Sequence, residues 1–233
     1  MTATRHDDGE HSRAAALFDL DGTLVDTNYL HVTSWWQALR QHGHDVPMAR
    51  IHGAIGMGAD RLLDEVLGPD RDKRQDESVA AAHGVLYATW HEVLRPFDGA
   101  ADLLRAVAAR GWTVVLASSA GAADVSAVRR RLDADDVIAA ATSGADVDVT
   151  KPAPDLVERA LGAVHAEPAS AVFVGDTVWD VEAAGRAGVP CVGLLTGGVS
   201  QGELEAAGAV AVYDDVGSLL RHIDASPLSR PPS

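Results

Sequence analysis

The chain combines short apolar runs with longer stretches in which apolar residues recur every three or four positions. The apolar runs predict buried strands at 14–18, 112–117, 137–141, 171–174, 189–194 and 210–213. The periodic stretches in the later part predict helices at 100–110, 122–132, 152–164, 179–187, 200–206 and 216–223. Because strands and helices alternate, the pattern predicts the α/β class, with a parallel sheet covered by helices on both faces.

The stretch between the first strand and Asp98 has helical periodicity only. Apolar residues from Leu30 to Leu39 fall near helical spacing, shorter helices follow, and a last helix is predicted at 79–94. This stretch is too long for an ordinary connection within a sheet. It therefore predicts an inserted helical domain at 27–96, called the helical insertion below.

The remaining boundaries follow from this division. The core domain is expected to comprise residues 14–26 and 97–225, on either side of the helical insertion. The first residues, 1–13, are polar and charged, and the last, 226–233, are rich in proline and serine. These two segments are predicted to be a disordered leader and a disordered tail.

Composition narrows the range of partners. Lys and Arg number 19 and Asp and Glu 34, so the formal net charge is −15. An acidic protein repels nucleic acids and anionic membranes, which favours a small-molecule partner and neither of those two. Cys191 is the only cysteine, which excludes an intrachain disulfide and favours a cytoplasmic location. The oligomeric state stays open between monomer and homodimer.

Two acids follow the first predicted strand, in the stretch Leu17-Phe18-Asp19-Leu20-Asp21-Gly22. Side chains two positions apart on a strand point the same way, so Asp19 and Asp21 can converge on one space. Their carboxylates repel each other, which is typical of a site with a cation or a chemical role. An acidic turn without a function is the alternative.

Polar residues also follow three later strands. Ser118 and Ser119 directly follow the second predicted strand. Lys151 follows the third by a loop, and Asp176 comes just after the fourth. Ligands of parallel sheets bind beyond the carboxyl ends of the strands, so these residues are expected at one edge. The set offers a nucleophile, an acid/base, positive charge, hydroxyl donors and carboxylates, which is what phosphoryl transfer needs.

Each residue of this set has an expected role. Mg²⁺ prefers oxygen ligands, and Asp19 and Asp176 are the expected carboxylate ligands. Lys151 would stabilise charge on the phosphoryl oxygens, and Ser118 would donate a hydrogen bond to one of them. Asp180, four residues after Asp176, would orient Lys151 or a metal-bound water.

The segment Asp19-Leu-Asp-Gly-Thr-Leu-Val-Asp26 resembles the first motif of the haloacid dehalogenase-like (HAD) superfamily. The resemblance to its four motifs runs from about Leu17 to Gly198. It implies a Rossmann-like core and a Mg²⁺-dependent phosphatase that passes through an aspartyl-phosphate. In that pattern Asp19 would be the nucleophile and Asp21 the general acid/base, with the backbone carbonyl of Asp21 as a further Mg²⁺ ligand.

The same resemblance gives the helical insertion an expected role. It is similar to the helical cap of the phosphoglycolate phosphatase and beta-phosphoglucomutase-like branch, where caps close over the site. His31 and the loop at 56–61, which includes Arg61, are similar in position to residues that meet substrate in those relatives. Thr23 is also expected among the residues near the substrate. The alternatives are a partly buried helix position for His31 and a solvated helix face for Arg61.

Taken together, these features predict a phosphatase acting on a small phosphorylated metabolite, such as a sugar phosphate or a phosphoglycolate-like compound. The first alternative is a phosphomutase of the beta-phosphoglucomutase type. Thr23 argues against it, because those mutases tend to have an aliphatic residue at that position. The second alternative is a catalytically silent protein on the same fold that binds phosphate or a partner.

Overall fold

Within residues 13–232, the part of the chain that the computed structural model describes, six parallel strands form one sheet. The strands are β1 (Ala15–Phe18), β2 (Thr113–Ala117), β3 (Ile138–Thr142), β4 (Ala171–Gly175), β5 (Cys191–Leu194) and β6 (Ala211–Tyr213). Their order is β3-β2-β1-β4-β5-β6, so β1 lies between β2 and β4. The predicted α/β fold class is confirmed.

The helices of the core domain cover both faces of this sheet. They are α5 (Ala100–Ala109), α6 (Ala122–Leu132), α7 (Asp155–Val164), α8 (Val178–Arg186), α9 (Gln201–Ala207) and α10 (Val216–Arg221). Successive residues of one strand face opposite sides: Phe18 belongs to the hydrophobic cluster that includes α5, and Leu17 to the cluster that includes α7. Burial on both sides explains why the strands are continuously apolar. No described helix has both the length and the apolar character needed to cross a membrane.

The chain between β1 and α5 forms α1 (Asn28–Gln41), α2 (Met48–Gly53), α3 (Ala59–Leu67) and α4 (Asp76–Ala88). These helices share a hydrophobic cluster of their own, which includes Trp35, Leu39 and Leu63. The helix predicted at 79–94 ends earlier, at Ala88, and a short 3₁₀ turn follows at His91–Val93. The Thr89 hydroxyl donates to the carbonyl oxygen of Leu86 at 2.6 Å, and such local bonds compete with helix continuation.

The prediction of a disordered tail at 226–233 is wrong for its described part, 226–232. Leu228 is fully buried, and its carbonyl oxygen accepts a hydrogen bond of 3.0 Å from Nε1 of Trp112. The buried Leu228 side chain and the hydrogen bond from Trp112 therefore hold this segment against the core domain. The predicted leader, 1–13, lies outside the described residues except for Arg13, which is exposed.

Candidate active site

The carboxyl ends of the three central strands bring predicted site residues together. Asp19 follows β1, Ser118 follows β2 and Asp176 follows β4, and all three are buried. Because β1 pairs in parallel with both β2 and β4, their ends lie side by side. The backbone N–H of Asp19 extends this pairing by donating to the carbonyl oxygen of Val174 at 2.9 Å. The expected gathering at one sheet edge is what the structure shows.

Lys151 lies fully buried between two carboxylates. Its Nζ is 2.5 Å from Oδ1 of Asp19 and 2.7 Å from Oδ1 of Asp180. It also donates to the carbonyl oxygen of Ala117 at 3.1 Å, at the end of β2. Burial alone would lower the pKa of Lys151, but the carboxylates of Asp180 and Asp19 raise it. Lys151 therefore carries its positive charge in the floor of the site.

Asp180 is fixed by the first turn of α8. The backbone N–H and the hydroxyl of Thr177 donate to Oδ2 of Asp180 at 3.1 Å and 2.6 Å, and the N–H of Asp180 donates back to the Thr177 hydroxyl. This reciprocal arrangement is a capping box, and it orients the carboxylate. Since the other oxygen contacts Lys151, Asp180 has the geometry of a positioning residue.

Asp176 is fully buried and accepts a hydrogen bond on each oxygen. The Thr23 hydroxyl donates to Oδ1 at 2.7 Å, and the side-chain amide of Asn28 donates to Oδ2 at 2.9 Å. Burial, and secondarily Asp180, raise the pKa of Asp176 to about 7. Thr23, which is predicted to lie near the substrate, is buried here, and its hydroxyl holds the Asp176 carboxylate.

The carboxylates fit a divalent cation. Asp19, Asp176 and Asp180 each offer an oxygen within 4.8 Å of the others. Burial, and secondarily the neighbouring carboxylates, raise the pKa of Asp19 and Asp176, while Lys151 acts to lower it. A Cβ on Gly197 or on Gly22 would lie 2.1 Å or 2.2 Å from Oδ2 of Asp176. Both positions therefore require glycine, because the backbone packs directly against the Asp176 carboxylate.

Asp21 faces the helical insertion. Its Oδ1 accepts from the Thr27 hydroxyl at 2.7 Å and lies 3.1 Å from Nε2 of His31 and 3.5 Å from the Tyr87 hydroxyl. Burial acts to raise the pKa of Asp21, but His31 and the hydrogen bond from Thr27 outweigh this effect, and the pKa is lowered overall. Asp21 is therefore a carboxylate at neutral pH, in the form that acts as a base.

Aromatic and imidazole rings from α1 and α4 stack beside Asp21. His31 stacks on Tyr87 with ring centroids 3.8 Å apart, and His83 stacks on Trp35 at 4.0 Å. Nδ1 of His31 and Nε2 of His83 are 3.2 Å apart, so one nitrogen donates to the other. Burial, and secondarily His31, lower the pKa of His83 well below its usual value. His83 is therefore neutral at neutral pH.

A cavity of about 240 Å³ lies between the strand ends and the helical insertion. Its lining includes Asp19, Asp21, Ser118 and Ser119 from the core domain and His31, Trp35, Ile55, Met57, Leu62 and His83 from the insertion. The Ser118 hydroxyl oxygen accepts from the N–H of Ala120 at 3.0 Å, which fixes its position. The Ser119 hydroxyl is buried and has no hydrogen-bond partner among the described residues, so it can donate to a ligand.

The structure does not bring Arg61 to this cavity. Its side chain is 46% exposed, and its Nε lies 3.8 Å from Oδ2 of Asp60. It lines a separate surface cleft together with Glu65 and Glu182. The reason is helical geometry: α3 buries Leu62 and its neighbour against the other insertion helices, which turns Arg61 outwards.

Four residues of the site were missed from the sequence: Thr27, Asn28, His83 and Tyr87. Thr27 and Asn28 stand where a helix begins, which is a common place for Thr and Asn without any further role. His83 and Tyr87 are four residues apart on α4, as His31 and Trp35 are on α1. These two matched pairs at helical spacing were the available signal.

Comparisons with known proteins agree on one family. The family model of haloacid dehalogenase-like hydrolases matches residues 14–188. The chain is 32% identical to a phosphoglycolate phosphatase of Salmonella choleraesuis (strain SC-B67), covering 87% of this chain and 89% of that protein. It is 26% identical to validoxylamine A 7'-phosphate phosphatase of Streptomyces hygroscopicus subsp. limoneus, covering 78% and 85%. The crystal structure of a hydrolase from Pseudomonas syringae superposes with a TM-score of 0.86 at 34% identity, covering 91% and 98%.

Proposed function

The chain belongs to the haloacid dehalogenase-like hydrolase family, and on that premise we propose that it is a Mg²⁺-dependent phosphatase that works through an aspartyl-phosphate on Asp19. The resemblance drawn from the motifs is thereby confirmed at the level of the family. One observation carries the proposal: the Asp19 carboxylate and the Lys151 ammonium, 2.5 Å apart, form the buried floor of the site, and Asp19 and Asp21 line its cavity.

In the first step, a carboxylate oxygen of Asp19 forms a bond to phosphorus while the bond from phosphorus to the leaving alcohol breaks. Asp21 gives a proton to that alcohol oxygen. Asp21 is a carboxylate in the free protein, and the negative charge of the bound phosphate raises its pKa and favours its protonated form. In the second step, Asp21 takes a proton from water, whose oxygen bonds to phosphorus and releases Asp19.

Neighbouring groups bind the phosphoryl oxygens during both steps. Lys151 would provide positive charge beside Asp19, and the hydroxyls of Ser118 and Ser119, which line the cavity, would donate hydrogen bonds. Asp19 and Asp176 would hold the cation, with the backbone carbonyl of Asp21 as a further ligand. When bound, Mg²⁺ supplies positive charge that offsets the repulsion between Asp19 and the phosphate.

The helical insertion would act as a cap that excludes water from the first step. Its contacts with the core domain support this role. Nε2 of His52 and the carbonyl oxygen of Gly197 are 2.9 Å apart. Nε1 of Trp179, on α8, donates to the carbonyl oxygen of Gly53 at 3.0 Å. These bonds join α2 to the loop at Gly197 and to α8, which both adjoin the candidate metal site. Closing of the insertion would therefore be linked to the arrangement of the metal ligands.

The names of the relatives do not identify the substrate of this chain. One is named for phosphoglycolate and another for validoxylamine A 7'-phosphate, which are different compounds. The proposal therefore extends to a small phosphorylated metabolite, with sugar phosphates and phosphoglycolate-like compounds as the classes to test.

The experiment that tests the proposal is phosphate release from a panel of phosphate esters, including p-nitrophenyl phosphate, with Mg²⁺ and with EDTA. We expect Asp19→Asn to lower kcat by about three orders of magnitude or more, because the amide is a poor nucleophile. Asp26→Asn, the same change at an exposed position of the same segment, serves as the control and should retain activity.

Two results would contradict the proposal. Phosphate release that survives Asp19→Asn removes Asp19 from the nucleophile role. Conversion of a hexose 1-phosphate to the 6-phosphate, in place of free phosphate, indicates a mutase.

A further inference from the structure

The part of the cavity that faces away from the phosphate site is apolar. Trp35 from α1, Ile55 and Met57 from the α2–α3 loop, Leu62 from α3 and Ala80 from α4 all line it. These residues come from every helix or connection of the helical insertion that reaches the site. The surface that would contact the alcohol part of a substrate is therefore built mainly from hydrocarbon and aromatic rings.

Among the described residues that line the cavity, there is no lysine and no arginine. Lys151 lies beneath the cavity and is bound to the carboxylates of Asp19 and Asp180. Arg61, which the resemblance places among residues that meet substrate, faces a different cleft. The positive charge available to a ligand is thus confined to the phosphate end.

The other polar groups of the wall already face partners within the protein. Nε2 of His31 lies 3.1 Å from Oδ1 of Asp21, so a positive charge on that imidazole is paired with a carboxylate. His83 lies between Trp35 and His31, and its lowered pKa keeps it neutral. Asp124 adds a carboxylate to the lining, where its Oδ1 lies 2.9 Å from Nε2 of His91. A second anionic group of a ligand would lose its water in this part of the cavity and meet no Lys or Arg.

We propose that the site selects phosphate monoesters whose leaving alcohol is uncharged, and discriminates against esters whose alcohol carries a carboxylate or a second phosphate. This inference rests on the phosphatase function proposed above. An uncharged alcohol with an apolar face packs against Trp35 and Leu62 without an unpaired charge. The selection excludes phosphoglycolate, for which one relative is named, and retains sugar and polyol phosphates.

The test uses two matched pairs of substrates that differ in the charge of the leaving alcohol. Glycerol 3-phosphate is compared with 3-phosphoglycerate, and glucose 6-phosphate with 6-phosphogluconate, at saturating Mg²⁺. We expect kcat/KM to be at least about tenfold higher for the uncharged member of each pair that is cleaved. 2-Phosphoglycolate is assayed beside them and should be as poor as the other anionic members.

A pair of variants distinguishes the effect of charge in the cavity wall on substrate preference from the effect of the overall charge of the protein. Ala80→Arg places a cation in the wall, and Ala81→Arg places the same cation at the next, exposed position of α4. We expect Ala80→Arg to reduce the preference for the uncharged esters about tenfold or to reverse it. Ala81→Arg should leave the preference within about twofold of the wild type.

The outcomes are distinct. If phosphate is released but the anionic member of each pair is cleaved as well as the uncharged one or better, this inference is overturned and the phosphatase proposal stands. If both arginine variants shift the preference equally, the cavity wall is not its source, and the inference is likewise overturned. If no ester releases phosphate, including p-nitrophenyl phosphate, the phosphatase proposal fails and this inference fails with it.

Discussion

At the scale of single residues, Asp176 shows how uncharged neighbours prepare a candidate metal ligand. Its two carboxylate oxygens each accept one hydrogen bond, from Thr23 and from Asn28. The same Asn28 amide lies 3.4 Å from the carbonyl oxygen of Gly197, so it connects α1 to two loops of the core domain. Such partners fix the direction of a ligand and favour its ionised form.

Removing the Asn28 amide should therefore weaken metal binding. We expect Asn28→Ala to raise the Mg²⁺ concentration for half-maximal activity by about 10- to 100-fold, the usual effect of losing such a partner. The measurement is phosphate release against Mg²⁺ concentration. Gln37→Ala removes an exposed amide from the same helix and is the control. Equal Mg²⁺ requirements for both variants would show that Asn28 does not act on the metal site.

His83 offers a second test at this scale, because it contacts His31, which in turn contacts Asp21. His83→Phe keeps a ring against Trp35 but removes the nitrogen that lies 3.2 Å from His31. We expect kcat to fall about 3- to 10-fold, with KM and the melting temperature little changed, because His31 is then less well oriented towards Asp21. His83→Gln, which can still donate a hydrogen bond, should restore part of the activity. If KM rises or the melting temperature falls while kcat is unchanged, His83 contributes only to packing.

At the scale of helices and strands, the pattern of apolar residues predicted all the strands and core helices that the described residues contain. The differences lie at the ends, where local chemistry decides. The helix predicted from Pro152 begins at Asp155, because residues 151–154 form a turn after the buried Lys151. The helix predicted to Leu94 ends at Ala88, where the Thr89 hydroxyl bonds to the backbone. Periodicity describes the buried face of a helix and carries no information about such bonds.

One contact between elements should control how the helical insertion closes. The hydroxyl of Thr150 accepts from the N–H of Gly58 at 3.0 Å and donates to Oδ1 of Asp60 at 2.8 Å. Thr150 immediately precedes Lys151, so this contact couples the position of the insertion to that of the buried lysine. A Cβ on Gly58 would lie 2.4 Å from the Thr150 side chain, which shows how closely the two segments approach.

We expect Thr150→Val to keep the shape of this contact and to lose both hydrogen bonds. The closed arrangement should then be less populated, with kcat/KM about 3- to 10-fold lower and faster amide hydrogen exchange around Gly58. Thr33→Val, which removes an exposed hydroxyl that donates to the carbonyl oxygen of Tyr29 within α1, is the control. Unchanged exchange around Gly58 in Thr150→Val would show that this contact does not hold the insertion.

At the scale of the whole molecule, the sequence predicted which residues gather at the strand ends better than it predicted the substrate cavity. The gathering of Asp19, Asp21, Ser118, Lys151 and Asp176 follows from their positions after predicted strands, because the carboxyl ends of parallel strands meet at one edge. The cavity depends on how four insertion helices pack on that edge, and one helix rotation decides whether a side chain enters it. Arg61 and His83 illustrate the two results, since both lie on insertion helices and only His83 reaches the cavity.

The balance of charge in the whole molecule gives a final prediction, on pH and metal. Burial raises the folded-state pKa of Asp19 and Asp176, to about 7 for Asp176, above the usual 3.8. A carboxyl group shifted this way stabilises the fold when protonated, and the metal-free protein loses that contribution as pH rises from about 4 to about 7. Asp21, whose folded-state pKa is lowered, stabilises the fold as pH rises. This contribution is complete once the pH exceeds the pKa of Asp21 in the unfolded chain, so it does not change between pH 5 and pH 8.

Mg²⁺ binds the ionised carboxylates, so it should restore the stability that the metal-free protein loses. We expect the melting temperature with Mg²⁺ minus that with EDTA to be small at pH 5 and several degrees larger at pH 8. NaCl at matched ionic strength is the control, because a protein of net charge −15 also gains from screening alone. Asp176→Asn should remove most of the pH dependence. The same difference at both pH values, or its persistence in Asp176→Asn, would place the cation elsewhere than at the carboxyl ends of β1 and β4.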